Sequence, residues 1–472
     1  NYFHVALHTL CSQPNNCFML SSTFSSNSRL GRILFARLRP SGAKFFSTGD
    51  VEDVQSQVAD HHKLPPLPVT FEDVSKATFM IRKGILHSPC DYSFTLSEVC
   101  NTNVYLKKDF MQHTGSFKER GARYALLSLS EEEKKAGVVL ASAGNHALAM
   151  AWHGQGLGIP VTCVMPTTAP FTKVDRCRKF GANVILHGDH IGEAKEYAFD
   201  RFSDLRYVNG YDDVEICAGA GSMGVEMLEQ VPQMDVVLVP VGGCGLIAGV
   251  SLAIKTLNPS TEVIGIEPEN CASFTESLAK GEPTYHFKSM SLADGLAVPV
   301  VGSTSFSVAR RYTDSTALVS EKMVAIAMLR LIELEKLVVE GGGAAALAAI
   351  LPGGPLYGKF EGKNVILPLC GGNVDTTTLG RVIDRGLAAD GRLVRFNCTV
   401  SDRPGGIAQM TKLLWDNNIT VKDITHERAW LSSRVDQVVL KVVVETSGIE
   451  LTEKLFKILE EEGYDVLQHP MT

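Results

Sequence analysis

No C-x-x-C pair and no regular cysteine spacing occur in this 472-residue chain, although it carries 11 cysteines. That absence argues against a disulfide scaffold and against structural zinc, and it suits a reducing compartment. Long basic runs are missing as well. With a formal net charge of −7, the expected partner is a small molecule rather than nucleic acid. A membrane span is not expected either: the longest apolar run, VVLVPVGGCGLIAGVSLAI from Val236 to Ile254, is broken by four glycines and a proline into a buried strand, a loop and a helix start. Acidic residues are absent from Asn1 to Gly49, where Arg29, Arg32, Arg37, Arg39 and Lys44 sit among serines and phenylalanines. This is the composition of a mitochondrial transit peptide. Residues 1–62 are therefore expected to be a leader outside the fold, which favours a mitochondrial over a cytoplasmic location.

What is present is 45% apolar residues and 42 glycines, the mark of a globular enzyme or binding protein with two or three domains. A helix is expected from Thr70, and from there strands and helices alternate. VVLAS at 138–142, VTCVMP at 161–166 and NVILHG at 183–188 read as buried strands, and the pattern resumes with DVVLVPV at 235–241, EVIGIEPE at 262–269 and NVILPLC at 364–370. This βαβ signature predicts an α/β fold with two open parallel sheets. After RGLAADG at 385–391 the pattern becomes βαββαβ, a ferredoxin-like unit over 391–472, suited to regulation or to oligomerisation.

HTGSFKERGARYALLSL at 113–129 places Ala122, Ala125, Leu126 and Leu129 on one helical face. Ser116 and Glu119 have capping-box spacing, making Ser116 the N-cap and Lys118 the second helical residue. A cation there opposes the helix dipole, at a cost of a few tenths of a kcal/mol to about 1. Glu119 and Arg120 read as capping and solvating the same helix. Three strands end in loops suited to ligands. SAGNH at 142–146 turns at Gly144 into a helix start that suits a carboxylate or phosphate. GGCGLIAG at 242–249 allows close backbone approach to an anion, although Gly243, Gly245 and Ala248 with Glu267 also satisfy a dinucleotide fingerprint. The third loop places Cys370 at a strand end beside two glycines.

SFKERGA, SAGNH, the glycine loop and CGGNVD, with SLADGLAV at 291–298 and KLVVEGGGAAALAA at 336–349, together resemble the fold type II pyridoxal-phosphate enzymes, in their threonine/serine dehydratase branch. The likeness covers roughly residues 65–385 and displaces the dinucleotide reading. It implies a catalytic region over 63–385 with tryptophan synthase β-like sheets and a smaller subdomain at about 105–208. DRPGGIAQ resembles the opening of an ACT domain, a module that commonly binds amino-acid effectors. The resemblance further implies that Lys118 forms the Schiff base with the cofactor aldehyde and acts as base, and that Phe117 packs on the ring. Asn145 is expected at the 3′ oxygen, Gly242, Gly243, Cys244, Gly245 and Leu246 at the phosphate, and Cys370 at the pyridine nitrogen. Ser142, Asn145 and His146 are expected to hold the substrate carboxylate. The implied reaction is β-elimination from L-threonine or L-serine to a 2-keto acid and ammonia, in a homo-oligomer.

Three features choose among neighbours. Racemases that resemble this chain carry serine where Ala143 stands, so racemisation is the runner-up; a non-catalytic amino-acid sensor is opposed by the retained Lys118. SAGNHA and SFKERG argue against β-replacement. Glu267, Cys271 and Ser273 fall where racemases frame a divalent ion, and the missing aspartate points to a monovalent cation instead. A strand-end carboxylate with no ion is the alternative. AGAGS at 218–222 and Leu148 depart from the family pattern, which bears on substrate preference.

Overall fold

The computed structural model describes residues 66–428 and 436–468. The chain falls into two units, Asn1–Pro66 and Leu67–Thr472, and every element below belongs to the second. The leader expected over residues 1–62 lies outside the described residues.

Six strands, β1 (Cys90–Ser93), β2 (Asn103–Lys107), β7 (Val236–Pro240), β8 (Glu262–Pro268), β9 (Ser315–Val319) and β10 (Asn364–Pro368), form a sheet in the order β1-β2-β10-β7-β8-β9. Only β1 runs antiparallel to its neighbour. A second, parallel sheet of four strands has the order β5-β4-β3-β6, from β3 (Val138–Ala141), β4 (Val161–Met165), β5 (Asn183–Leu186) and β6 (Arg206–Tyr207). The alternation is therefore that of the expected α/β fold. The smaller sheet begins later than the expected boundary near 105, because β2 pairs with β10 in the larger one.

Apolar runs become central strands because both of their faces are covered. In β7, Val237 and Val239 pack into one core, while Val236 and Leu238 pack into another on the opposite face. The run from Val236 to Ile254 resolves into β7, a glycine loop and the helix Gly245–Leu257. Among the described residues no helix is long and apolar enough to cross a membrane. The helix at the start of the fold spans Phe71–Ile81, with Thr70 and Asp73 forming a complete capping box. Past residue 390, β11 (Leu393–Ser401), β12 (Thr420–Glu427), β13 (Gln437–Glu445) and β14 (Asp465–Gln468) form an antiparallel sheet of order β12-β13-β11-β14 with two helices. This is the expected ferredoxin-like arrangement.

Two expectations for the 113–129 segment need correction. The helix spans Lys118–Leu127 with Phe117 as N-cap, so Lys118 is its first residue. Ser116 instead bridges to Gly371, and the Glu119 carboxylate accepts from the Thr114 amide, so no capping box closes on Ser116. Nor do Glu119 and Arg120 solvate the helix, because both are fully buried.

Arg120 is the centre of a buried ion network. Its Nε and Nη2 donate to Asp109 at 2.7 Å each, its Nη1 and Nη2 to Glu226 at 2.7 and 2.8 Å, and its Nη1 also to Ser222 at 3.1 Å. Lys107 Nζ donates to Glu226 Oε2 at 2.6 Å, to the Ser88 carbonyl at 2.7 Å and to Gln230 at 2.9 Å. Burial alone would raise both carboxyls, yet Arg120 beside them, joined by Lys107, holds Asp109 and Glu226 below their ordinary values. Removing one partner would leave an uncompensated buried charge, at a cost of about 3–5 kcal/mol. Arg120→Met is expected to lose stability on that scale in urea unfolding at neutral pH. Depressed carboxyl values contribute stability above the unfolded carboxylate range, and that stability is lost as pH falls through the folded values. The gap between wild type and Arg120→Met should therefore narrow in acid.

Candidate functional site

The amine of Lys118 reaches its place because the chain before it is tied down. Phe117 N donates to the Cys370 carbonyl at 2.9 Å, next to the Ser116–Gly371 bridge. Lys118 Nζ donates to the Gly210 carbonyl at 2.5 Å and stands 5.0 Å from the centre of the Phe117 ring. Its side chain is only partly shielded by surface area, but the atoms packed around the amine desolvate it. Burial lowers its pKa to about 8, against the smaller raising influence of Cys217, Cys370 and Glu340. Burial is the leading cause, acting in the direction expected of the helix dipole.

The glycine loop lies at the start of the Gly245–Leu257 helix, where amides lack intrahelical partners. A Cβ at Gly243 would run into the Tyr211 ring, and one at Gly245 would come within 2.5 Å of the Tyr211 carbonyl. Side chains are therefore excluded where an anion would approach the backbone. Cys244 holds φ +75°, a left-handed conformation that favours glycine. The loop is also held from behind: Ser305 Oγ donates to the Gly243 carbonyl at 2.9 Å, and Asp212 accepts from the backbone amides of Ser303 and Ser305 at 3.1 and 2.9 Å.

Asn145 starts the helix Asn145–Leu157. Its Nδ2 donates to Glu340 Oε1 at 2.7 Å, and its Oδ1 accepts from Asn373 Nδ2 at 2.9 Å. Burial raises Glu340 to about 7, with Asp294 adding to the rise. The Ser142 hydroxyl accepts from the Gly144 amide at 3.3 Å, and a Cβ at Gly144 would meet no atom within 4 Å. This turn is the open part of the site. His146 is buried, with Nε2 3.2 Å from the Val208 carbonyl. Burial, and then the Lys118 charge, lowers its pKa to about 3, so it is neutral at any working pH. Cys370 is buried at the end of β10, and burial holds its thiol well above the usual range.

Lys118, Phe117, Asn145, Cys370 and the Gly242–Leu246 loop thus converge through shared partners. The proposed cation donors behave differently. Both Glu267 oxygens are taken by the helix Ser273–Lys280: Oε1 accepts from the Phe274 amide and Oε2 from the Thr275 amide, each at 2.8 Å. Burial raises this carboxyl to about 7. The Cys271 thiol is directed at the His286 carbonyl, and the Ser273 hydroxyl at that of Val298. Among the described residues no group of three His, Cys, Asp or Glu could hold a metal. The Glu267 carboxylate thus caps the start of this helix, as the strand-end alternative describes.

Sequence reasoning missed Asn209–Asp213 (NGYDD), whose members contact Lys118, the glycine loop and the Ser303–Tyr312 helix. It also missed Glu340. The first carries no motif visible in one sequence. The second stood inside the quoted KLVVEGGG, and only its partner Asn145 reveals its place.

The donor set fits pyridoxal phosphate: an amine of lowered pKa for the aldehyde, a side-chain-free cradle of amides for the phosphate, an amide group for the ring oxygen and a neutral thiol for the ring nitrogen. Residues 81–371 match the family model of pyridoxal-phosphate dependent enzymes. The chain is 38% identical to the L-threonine ammonia-lyase of Thermotoga maritima over 402 residues, covering 84% of this chain and 99% of that protein. Among solved structures it is similar to the processed form of threonine deaminase isoform 2 from Solanum lycopersicum, with a TM-score of 0.63, 32% identity, and coverage of 68% of this chain and 90% of that one. It is also similar to the serine racemase of Dictyostelium discoideum, with a TM-score of 0.61, 33% identity, and coverage of 65% and 99%.

Two outcomes follow from the geometry. Cys244→Gly should retain the loop, while Cys244→Val, a β-branched residue at positive φ, should cost about 2 kcal/mol or more and speed cofactor loss, read by thermal unfolding and dialysis. For Glu340, the raised value of about 7 means the folded state favours the protonated carboxyl. Its contribution is full below the unfolded value of about 4.3 and is lost as pH rises through the folded one. Glu340→Gln should therefore lessen the fall in stability between about pH 5 and about pH 8, measured by urea unfolding.

Proposed function

The chain belongs to the pyridoxal-phosphate dependent enzymes, and we propose that within them it is an ammonia-lyase that eliminates the β-hydroxyl of L-threonine, and of L-serine, to give a 2-keto acid and ammonia. The observation that carries this reading is the Lys118 amine, desolvated, of lowered pKa, bonded to the Gly210 carbonyl and close to Cys217, Cys370 and Glu340. The names of the Thermotoga and Solanum proteins support the same choice of reaction.

Pyridoxal phosphate supplies an aldehyde that holds the substrate amino group and a ring that withdraws electrons from the adjacent carbon. The chain supplies the rest. With a pKa of about 8, roughly a quarter of Lys118 amines are neutral at pH 7.5, against about 0.1% at the ordinary lysine value. Nζ can therefore take the α-proton, and one proton departs with the β-hydroxyl as water. Ser142 and the amides that follow it bind the substrate carboxylate, with neutral His146 behind them. Gly242 to Leu246 hold the phosphate, Asn145 the ring oxygen, and Phe117 a ring face. Cys370 keeps its proton and so offers the ring nitrogen no charge. That favours prompt loss of a leaving group over a long-lived carbanion.

Racemisation is disfavoured by Ala143, which has no hydroxyl to deliver a proton from the second face. The C-terminal domain is assigned a regulatory role on a specific link. Glu333 pairs with Arg392 at 2.6 Å. The Leu331–Glu335 turn that carries Glu333 leads within a few residues to Glu340.

The deciding measurement is product analysis of the purified protein with L-threonine and L-serine, following cofactor absorbance, keto acid, ammonia and D-isomer. Keto acid and ammonia in equal amounts are expected. D-serine without keto acid would show a racemase, and the absence of a chromophore would end the reading altogether. Lys118→Ala should lose at least about a thousandfold in turnover. In the protein stripped of cofactor, acylation of Lys118 by acetic anhydride should rise with pH around a midpoint of about 8. Deletion after Arg385, and Arg392→Ala separately, should abolish or weaken any effect of added amino acids on rate.

A further inference from the structure

In CGGNVD the cysteine has a place at the site, while Asn373 has no role so far. Its side chain lies where segments distant in sequence meet. Nδ2 donates to the Thr114 carbonyl at 2.6 Å and to Asn145 Oδ1 at 2.9 Å, and Oδ1 accepts from Arg176 Nη1 at 3.0 Å. Which end of this amide is which follows from the chemistry of its partners: a guanidinium only donates, and a backbone carbonyl only accepts. Arg176 and Thr114 therefore hold Asn373 with its NH2 toward Asn145. Asn145 answers with its oxygen, so its own NH2 faces the other way, where it donates to Glu340 Oε1 at 2.7 Å. Gly115 makes room for this arrangement. Its φ is +81°, and a Cβ there would stand 2.6 Å from Asn373 Oδ1.

We propose that Asn373 is a positioning residue for the reaction, dictating that Asn145 turns its NH2, and not its carbonyl, toward the ring oxygen of the cofactor. This rests on the place given to Asn145 in the proposed function. A ring oxygen rich in electrons calls for a donor, and a reversed amide would set two acceptors against each other. Asn145 does not settle the matter by shape, because the two ends of an amide are nearly equal in size. Glu340 does not settle it either: a carboxyl raised to about 7 accepts when ionised and can donate when protonated. Asn373 is held by groups that never change role. Arg176 belongs to the helix Phe171–Lys179, between β4 and β5, which also meets the loop through Thr172 Oγ1, donating to Asp375 at 3.1 Å. Seating of that helix is thereby conveyed to Asn145.

The test compares full-length wild type, Asn373→Asp, Asn145→Ala and the double variant by the dissociation constant for pyridoxal phosphate and by the position of the cofactor's visible band. Aspartate has the shape of asparagine but offers only acceptors at neutral pH, so Asn145 would turn its NH2 outward to meet it. Asn373→Asp is expected to weaken cofactor binding about tenfold and to displace the band. In the Asn145→Ala background the same substitution should change neither quantity. Arg176→Met, which releases one end of the Asn373 amide, should give a smaller loss of the same kind, and Arg176→Lys, which keeps a donor, should restore most of it. Thermal unfolding of the cofactor-free proteins establishes that each variant folds, and the Arg176 pair decides the matter if Asn373→Asp does not. An Asn373→Asp effect of equal size with and without the Asn145 amide would overturn the proposal, as would unchanged affinity and band in both Asn373→Asp and Arg176→Met. A wild type with no visible band would overturn the cofactor reading of the site, and this inference with it.

Discussion

Everything placed around Lys118 depends on a charge-balanced cluster two residues further along its helix. Arg120 spends all five of its N–H donors on Asp109, Glu226 and Ser222, and Lys107 completes the second carboxylate. Asp109 lies just ahead of the HTGSFK segment, Lys107 ends β2, and Glu226 is on the same helix as Cys217, which faces the amine. Three segments, the end of β2 with the turn after it, the lysine's helix and the helix Val214–Gln230, are thus joined at a point where separation would strand a charge in a dry interior. Lysine could not replace Arg120, because it has neither the fork nor the number of donors.

The same dryness determines the chemistry. Burial is the leading influence on Lys118, His146, Glu340 and Cys370, and in each it favours the uncharged form. A site built this way meets an anionic cofactor with amides and neutral side chains instead of a cluster of cations. It leaves the lysine free to exchange a proton near neutral pH. Glu267, also raised by burial, is the strand-end example of the same effect, since its carboxylate is used by a helix terminus.

Much of this was legible in the sequence, because the glycine loop, SAGNH, SFKERG and CGGNVD are contiguous and, weak singly, together resemble one family in one order. The strands from β3 to β5, together with β7, β8 and β10, were legible as short apolar runs between turns. β1 and β9 were not: CDYS and STALV alternate too weakly to stand out, and pairing with β2 and β8 makes them strands. The capping-box reading failed because Ser116 is claimed by Gly371, a partner on the far side of the chain. Arg120 looked solvated because a charged residue beside a helix start ordinarily is, and only Asp109 and Glu226 overturn that. The Asn209–Asp213 loop stayed invisible for the same reason: its roles are carried by carbonyls and by closeness to glycines, which leave no pattern in residue types.

The bridge between Ser116 and Gly371 has a consequence for biosynthesis. One edge of the lysine's surroundings is encoded near the beginning of the catalytic region and the other near its end, with the whole smaller sheet between them. During translation the early half can pair its own strands while the amine has no fixed wall beside it. The site closes only when β10 and the residues after it have left the ribosome and the long loop between the two edges is drawn shut. A chain interrupted before Gly371 would therefore contain the lysine, the glycine loop and most of both sheets, and still lack the wall beside the lysine.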